Sequence, residues 1–82
     1  MTYQVEFEGD ALVRLNGLPK NAFDALVKSV VALTREPWDA NEVTPGGDAP
    51  YREVFFGDYG ILSFRVDEPA ELIRIFGILW AG

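Results

Sequence analysis

The sequence predicts an α+β domain in which one antiparallel four-stranded sheet carries a helical hairpin on one face, in the order β-α-α-β-β-β. Three observations support this prediction. Residues 2–7 alternate between apolar and polar side chains, the segment 20–36 carries apolar side chains at helical spacing, and short apolar runs follow one another closely over residues 51–80. Residues 1–82 contain no internal repeat and no second apolar core, so we expect a single domain.

The chain begins with a strand and a short helix. In "TYQVEF" the side chains of Tyr3, Val5 and Phe7 point to one side, which is typical of a half-buried strand. Asp10 is predicted to cap a short helix, and Gly17 is predicted to end it.

A second, longer helix follows. Pro19 lies where a helix can begin, because its missing N–H is not needed there, and Pro37 ends the helical pattern. The apolar stripe of this helix comprises Phe23, Leu26, Val27, Val30 and Leu33. We therefore expect a helical hairpin whose apolar stripe packs against a sheet.

The second half of the chain is predicted to contain a loop and three strands. Residues 37–50 hold three prolines and two glycines without periodicity, which indicates a loop that Trp38 anchors to the domain. The strands are predicted at residues 51–56, 61–66 and 71–80. The turns between these strands are short, which favours an antiparallel meander.

Alternation along the meander sorts its side chains between two faces. If the aliphatic side chains face the helices, three arginines lie on the other face, called the open face below: Arg52, Arg65 and Arg74. The high cost of burying an unpaired guanidinium favours the same arrangement. The open face is also predicted to hold Phe56, Ser63, Leu72, Phe76, Ile78 and Trp80. Two interpretations remain: the arginines only pair with acidic residues, or they hold phosphates while aromatic rings stack on bases.

The composition limits the classes of function. The net charge is −6, so nucleic acid binding would need a local positive patch. The chain has neither cysteine nor histidine, which removes thiolate ligands, the commonest metal ligand and the commonest general base. We expect no metal ion and no cofactor. Because no segment reads as a signal peptide or a membrane span, we expect a cytoplasmic protein without a membrane partner.

Four stretches of the sequence together resemble a known family: "YQVEF", "ALVRLNGLP", "PYREVFFGDYGILSFRVD" and "ELIRIFGILWAG". In order and pattern they resemble the RelE/ParE superfamily of bacterial type II toxin–antitoxin toxins, and more closely its small RelE-like members. The resemblance covers nearly the whole chain. It implies a toxin that a cognate antitoxin protein holds inactive.

The resemblance also implies a target. RelE-like members cleave messenger RNA on the ribosome without a metal ion, through basic residues and often a tyrosine or histidine on the sheet. ParE-like members share the fold and inhibit DNA gyrase by binding it. An mRNA endoribonuclease is therefore the first hypothesis, with the ribosome and mRNA as partners.

The family's basic residues are only partly present. Arg52, which follows Tyr51, matches a basic position of the family, whereas Val54 stands where these nucleases can have a lysine. Gly60 and Ile61 stand where the family has an arginine. We assign the catalytic role to Arg52, with Arg65 and Arg74 substituting from the same face, and RNA binding to Tyr51, Tyr59 and Ser63.

Partner binding requires exposed apolar anchors. We assign this role to Phe56, Phe76, Ile78 and Trp80 on the predicted open face. The missing basic residues keep a second hypothesis open. In that hypothesis the domain has no catalytic activity, and it is either a ParE-like protein that binds DNA gyrase or a degenerate toxin that only binds its antitoxin.

Overall fold

A computed structural model describes residues 2–43 and 50–81 of the chain. They form one sheet with two α-helices on one face, so the predicted α+β architecture is confirmed. The elements in chain order are β1 (Gln4–Phe7), α1 (Gly9–Gly17), α2 (Lys20–Arg35), a 3₁₀ turn (Pro37–Asp39), β2 (Asn41–Val43), β3 (Tyr51–Phe56), β4 (Gly60–Asp67) and β5 (Leu72–Trp80).

The sheet differs from the prediction in strand number and direction. Its described part has five strands in the order β1-β5-β4-β3-β2, whereas four were predicted. The additional strand, β2, lies in the segment predicted as a loop and pairs with β3. The strand β1 runs parallel to β5, so the sheet is mixed. A parallel pair is possible because the helices carry the chain from β1 across the sheet to β2 at the other edge. The strands β2 to β5 then return it to β1.

The helices begin and end close to the predicted residues. The first ends at Gly17, and the second starts at Lys20 directly after Pro19. The predicted cap is wrong: Glu8 occupies the N-cap of α1 without a capping side-chain bond, and Asp10 instead pairs with Arg14 at 3.4 Å. Neither helix in the described residues is long and apolar enough to cross a membrane.

The predicted apolar stripe of α2 is only partly covered. Leu26 and Leu33 are buried, whereas Phe23 and Val27 remain 41% and 43% exposed. The buried core joins α1 and α2 to the facing side of β3, β4 and β5. Its members are Ala11, Ala22, Leu26, Leu33, Phe56, Leu62, Phe64, Ile73, Ile75 and Ile78.

Because of a β-bulge in β5, the side chains that follow it lie on the opposite sheet face from the predicted one. Phe64 pairs with Ile75 and Ser63 pairs with Gly77, so Phe76 lies between them without a partner. The extra residue reverses the alternation after it. Ile78 and Trp80 therefore follow Ile73 and Ile75 onto the helix-covered face, where Ile78 is buried and Trp80 packs against the core.

The predicted face of β3 is also wrong. Arg52, Val54 and Phe56 pair with Phe64, Leu62 and Gly60, all on the helix-covered face. Phe56 is only 1% exposed. This arrangement buries the apolar side chains of Val54 and Phe56 against the helices, which stabilises the fold. Arg52 can lie on the same face because it is near the start of the strand, where its long side chain reaches polar partners.

Gly60 is required by the packing of Phe56. A Cβ atom at residue 60 would lie 2.5 Å from the ring of Phe56, so Gly60→Ala is expected to destabilise the fold by about 1–3 kcal/mol through overpacking. Gly17→Ala is the matched control, because nothing lies within 4 Å of the corresponding position. Urea unfolding measures both. Equal midpoints for the two variants would contradict the position of the Phe56 ring.

Candidate functional site

A shallow cleft lies at the end of the sheet where β3 begins and β4 ends. Its volume is about 190 Å³, which is below the roughly 300–1,000 Å³ of sites that enclose a small molecule. It is lined by Trp38, Glu42, Pro50, Tyr51, Arg52, Arg65 and Val66. The cleft is therefore suited to a single group of a larger ligand, such as one phosphate or one base.

Arg52 reaches the cleft from the helix-covered side and is bound by its own chain. Its Nη1 donates to the carbonyl oxygens of Trp38 at 3.3 Å and Ala40 at 2.9 Å. Its Nη2 lies 3.4 Å from a carboxylate oxygen of Glu42, and the guanidinium lies 4.9 Å above the Trp38 ring. With a side chain only 19% exposed, Arg52 fixes the 3₁₀ turn and β2 against β3.

Arg65 reaches the cleft from the open face. Its guanidinium lies 4.6 Å from the ring centre of Phe76, a cation–π distance. The Phe76 ring in turn meets Tyr51 edge-on at 5.3 Å. Among residues 2–43 and 50–81, no carboxylate forms an ion pair with Arg65. No carboxylate of these residues therefore competes for its guanidinium, which packs against the Phe76 ring.

Arg74 lies directly opposite Arg65 in the β4–β5 pair but is bound elsewhere. It forms ion pairs with Glu6 at 3.3 Å, Glu8 at 3.8 Å and Asp67 at 3.5 Å. Two like charges opposite each other in a sheet repel, and these carboxylates compensate the charge of Arg74. The open face around Arg74 is consequently acidic.

The predicted catalytic and RNA-binding residues are brought together only in part. Arg52 and Arg65 border one cleft with Tyr51, although they approach it from opposite faces of the sheet. Ser63 shares the open face with Arg65. Tyr59 lies in the β3–β4 turn, six residues before Arg65, or about 20 Å along the strand. The roles of all these residues in catalysis or RNA binding stay predictions.

The predicted partner-binding residues also separate. Phe76 lies on the open face beside Tyr51, as predicted. The prediction that Phe56, Ile78 and Trp80 are exposed there is wrong: Phe56 and Ile78 are buried in the core, and Trp80 stacks on Phe56 at 5.8 Å. The bulge in β5 and the reversed faces of β3 account for the change.

Other apolar side chains occupy the open face instead. Phe55, Ile61 and Leu79 are directly opposite one another on three neighbouring strands and form an apolar row. Phe55 is 68% exposed and Leu79 is 56% exposed. An apolar open face was thus predicted correctly as a feature, but with the wrong residues.

Two cleft residues were not singled out as functional from the sequence. Trp38 was predicted only as an anchor, and Glu42 belonged to a segment read as a loop. Their positions in the sequence do not relate them to Arg52. The contacts of Trp38 and Glu42 with Arg52 arise because β2 pairs with β3. Within the described ranges no cluster of carboxylates has the geometry of a metal site.

The chemistry of the cleft favours anion binding. Two guanidinium groups, one phenol and an indole ring border it, and its single carboxylate, that of Glu42, pairs with Arg52, so Arg65 is the arginine of the cleft without a carboxylate partner among the described residues. Guanidinium groups bind phosphate oxygens well, and an exposed aromatic ring can stack on a base. The phenol of Tyr51 borders the cleft beside Arg65.

Comparison with known proteins gave matches among solved structures only. No protein-family model matches the sequence, and no curated protein matches it. A chain in the crystal structure of the toxin–antitoxin complex RelBE2 from Mycobacterium tuberculosis superposes with a TM-score of 0.85 at 22% identity, covering 99% of this chain and 100% of that chain.

Two further structures agree with this match. A chain of the archaeal RelE–RelB complex from Pyrococcus horikoshii has a TM-score of 0.73 at 23% identity and covers 100% of this chain and 98% of its own. A mutant of the E. coli toxin RelE in the free state has a TM-score of 0.78 at 19% identity, covering 95% of this chain and 82% of that one. The fold that the sequence resemblance implied is confirmed: the chain has the fold of the RelE toxin along nearly its whole length.

Proposed function

We propose that this protein is the toxin of a toxin–antitoxin pair and that a cognate antitoxin binds it. One observation carries the proposal: the superpositions cover at least 95% of this chain, and the structures concerned are a RelE toxin and toxin–antitoxin complexes. The exposed apolar side chains of Phe23 and Val27 on α2 support a protein partner in addition.

For the toxin activity we propose contact with RNA at the cleft. Arg65 supplies the available positive charge, and the Phe76 ring beneath it limits its movement. Tyr51 supplies a ring for stacking and a hydroxyl near the phosphate. Such an arrangement supports cleavage of messenger RNA without a metal ion, in which the guanidinium stabilises charge that develops on the phosphate.

A second candidate function is binding without catalysis. It is favoured by the ion pairs of Arg52 and Arg74, which leave Arg65 as the one predicted catalytic arginine without a carboxylate partner among the described residues. Each transition-state contact of this type is worth on the order of 10²–10³ in rate. A single available guanidinium therefore supports slow cleavage, or none.

The test of the toxin proposal is expression of the chain with and without the product of the neighbouring gene. We expect growth arrest that the neighbouring product relieves. Arg65→Glu is expected to abolish the arrest, whereas Arg14→Glu changes the net charge equally on an exposed helix position and is expected to retain it. Arrest that is unchanged in Arg65→Glu would remove the assigned cleft.

The purified protein separates the two candidate functions. Cleavage of mRNA on translating ribosomes that Arg65→Glu slows by about 10²-fold or more supports the nuclease. No cleavage, together with tight binding of the neighbouring product, supports a binding module. A supercoiling assay with DNA gyrase, run in parallel, tests the remaining alternative.

A further inference from the structure

The helical hairpin leaves an apolar groove open to solvent. The groove lies between α1 and α2 above the end of β1, and only apolar side chains of the described residues line it. They include Phe7 from β1, Leu15 from α1, and Phe23, Val27, Val30 and Val31 from α2. A contiguous exposed apolar surface is a candidate for an interaction site.

Three exposed apolar residues of α2 lie along one side of the helix. Phe23, Val27 and Val31 are four residues apart and remain 41%, 43% and 48% exposed. Because residues at this spacing lie one above another, they form a continuous ridge along one side of the groove. Leu12 and Val13 on α1 add exposed apolar surface to the same layer.

The charges of the helical hairpin differ from those of the rest of the chain. Residues 9–35 carry four basic and two acidic side chains, whereas the remainder carries three basic and eleven acidic ones. Both acidic residues of the hairpin are already paired, Asp10 with Arg14 and Asp24 with Lys20. No ion pair of Lys28 or Arg35 is found within the described ranges.

These two basic residues lie beside the apolar ridge. Arg35 follows Val31 by four residues and Lys28 precedes it by three, which makes both of them neighbours of Val31 on the helix surface. The hairpin is therefore apolar along the groove and positively charged next to it, on a protein that is acidic elsewhere.

We infer that the groove between α1 and α2 binds an amphipathic helix of a partner protein that is apolar on one side and acidic on the other. The groove provides no polar atom for a partner's backbone, so the segment must satisfy its own backbone hydrogen bonds, as a helix does. The charges beside the ridge select an acidic polar side. A second copy of this chain would bring like charges together at the groove.

This inference rests on the proposed function in one respect: within a toxin–antitoxin pair, the helix would belong to the antitoxin. It also moves the partner site from the open sheet face, where the sequence placed it, to the helix layer. Of the four residues first assigned to partner binding, only Phe76 is left on the open face.

Two synthetic peptides test the inference without an antitoxin. Both form amphipathic helices of about five turns with leucine at the same positions, and their polar positions are all Glu in one and all Lys in the other. We expect the Glu peptide to bind and the Lys peptide to bind at least about 10-fold more weakly. Equal affinities, or no binding of the Glu peptide, would overturn the inference.

Substitutions locate the binding surface. Val27→Glu places a charge on the ridge and is expected to weaken the Glu peptide by at least about 10-fold. Lys28→Glu with Arg35→Glu is expected to weaken it and to reduce its dependence on salt. Leu79→Glu, at an exposed apolar position on the open face, is the matched control and is expected to bind like the parent chain. Circular dichroism establishes that each variant is folded.

Two other ligands of the groove, a membrane surface and a second copy of the chain, can be distinguished by experiment. Binding to anionic phospholipid vesicles that Val27→Glu abolishes would assign the groove to a membrane surface and overturn the inference. Self-association that Val27→Glu abolishes would assign it to a second copy, with the same consequence. Weakening by Leu79→Glu equal to that by Val27→Glu would place the peptide on the open face.

The product of the neighbouring gene separates this inference from the proposed function. If that product binds and Val27→Glu does not weaken it, the inference fails and the toxin–antitoxin pair stands. If it does not bind while the Glu peptide does, the proposed pair fails and the groove stands as a site for acidic helices.

Discussion

Phe56→Ala is expected to lower the free energy of unfolding by about 3–5 kcal/mol, whereas Phe55→Ala, at the neighbouring position, is expected to change it by about 0.5 kcal/mol or less. Phe56 is 1% exposed, lies over Gly60 and stacks on Trp80. Its removal deletes buried surface and leaves a cavity. Phe55 points to the open face and is 68% exposed, so its truncation leaves the core unchanged.

Urea unfolding followed by circular dichroism measures both variants. A domain of 82 residues has a total stability of about 4–12 kcal/mol, so Phe56→Ala is expected to remove much of it. If this variant is unfolded even without urea, Phe56→Leu provides a smaller truncation that still reports burial. If Phe56→Ala keeps full stability but binds its partner more weakly, then Phe56 is exposed, as strict alternation predicts.

The sequence predicted the ends of the helices and the positions of β3 and β4 well, because these depend on local spacing. Gly17 and Pro19 separate the two helices, because a glycine tolerates the end of a helix and a proline the beginning of one. The strand at residues 51–56 was placed without error, and β4 was placed to within one residue at each end. In each of these cases the signal lies within a few residues of the feature.

The sequence predicted less well whatever depends on residues far apart in the chain. The strand β1 pairs with β5 in parallel. This pairing depends on how the chain crosses the sheet, and no local pattern in "TYQVEF" predicts it. The strand β2 has three residues and exists through its pairing with β3. A strand this short has no alternation of its own to recognise.

The bulge in β5 was visible in principle. An isolated glycine within an apolar strand is a recognised sign of a bulge or a close backbone approach, and Gly77 is such a glycine. A Cβ atom there would lie 3.3 Å from Cβ of Ser63. Strict alternation through Gly77 placed Ile78 and Trp80 on the wrong face.

The arginine cluster shows why the site was predicted only in part. Alternation correctly grouped Arg65 with Arg74 on the open face, but in β3 both possible faces carry a phenylalanine, Phe55 or Phe56. In the predicted structure, Arg52 lies on the open face and no charge is buried. The structure avoids it differently, because the long side chain of Arg52 reaches carbonyl groups at the margin of the sheet.

The position of Arg52 leads to the second large effect. Arg52→Glu is expected to lower the free energy of unfolding by about 3 kcal/mol, because the new carboxylate would face the carbonyl oxygens of Trp38 and Ala40 and the carboxylate of Glu42. The sequence alone placed Arg52 on the open face, where a reversed charge would cost little stability. Thermal and urea unfolding, with the fluorescence of the tryptophans as one probe, measure the difference.

Arg65→Glu is the matched control, since the same charge change at an exposed position on the open face is expected to alter stability by about 1 kcal/mol or less, mainly through the lost contact with Phe76. Arg52→Met, which keeps the apolar stem and adds no carboxylate, is expected to fall between the two. Equal stability of Arg52→Glu and Arg65→Glu would show that Arg52 does not hold the 3₁₀ turn and β2. If stability falls as expected, any loss of growth arrest in Arg52→Glu reports unfolding, and of these two arginines it is Arg65 that can test the cleft as an RNA site.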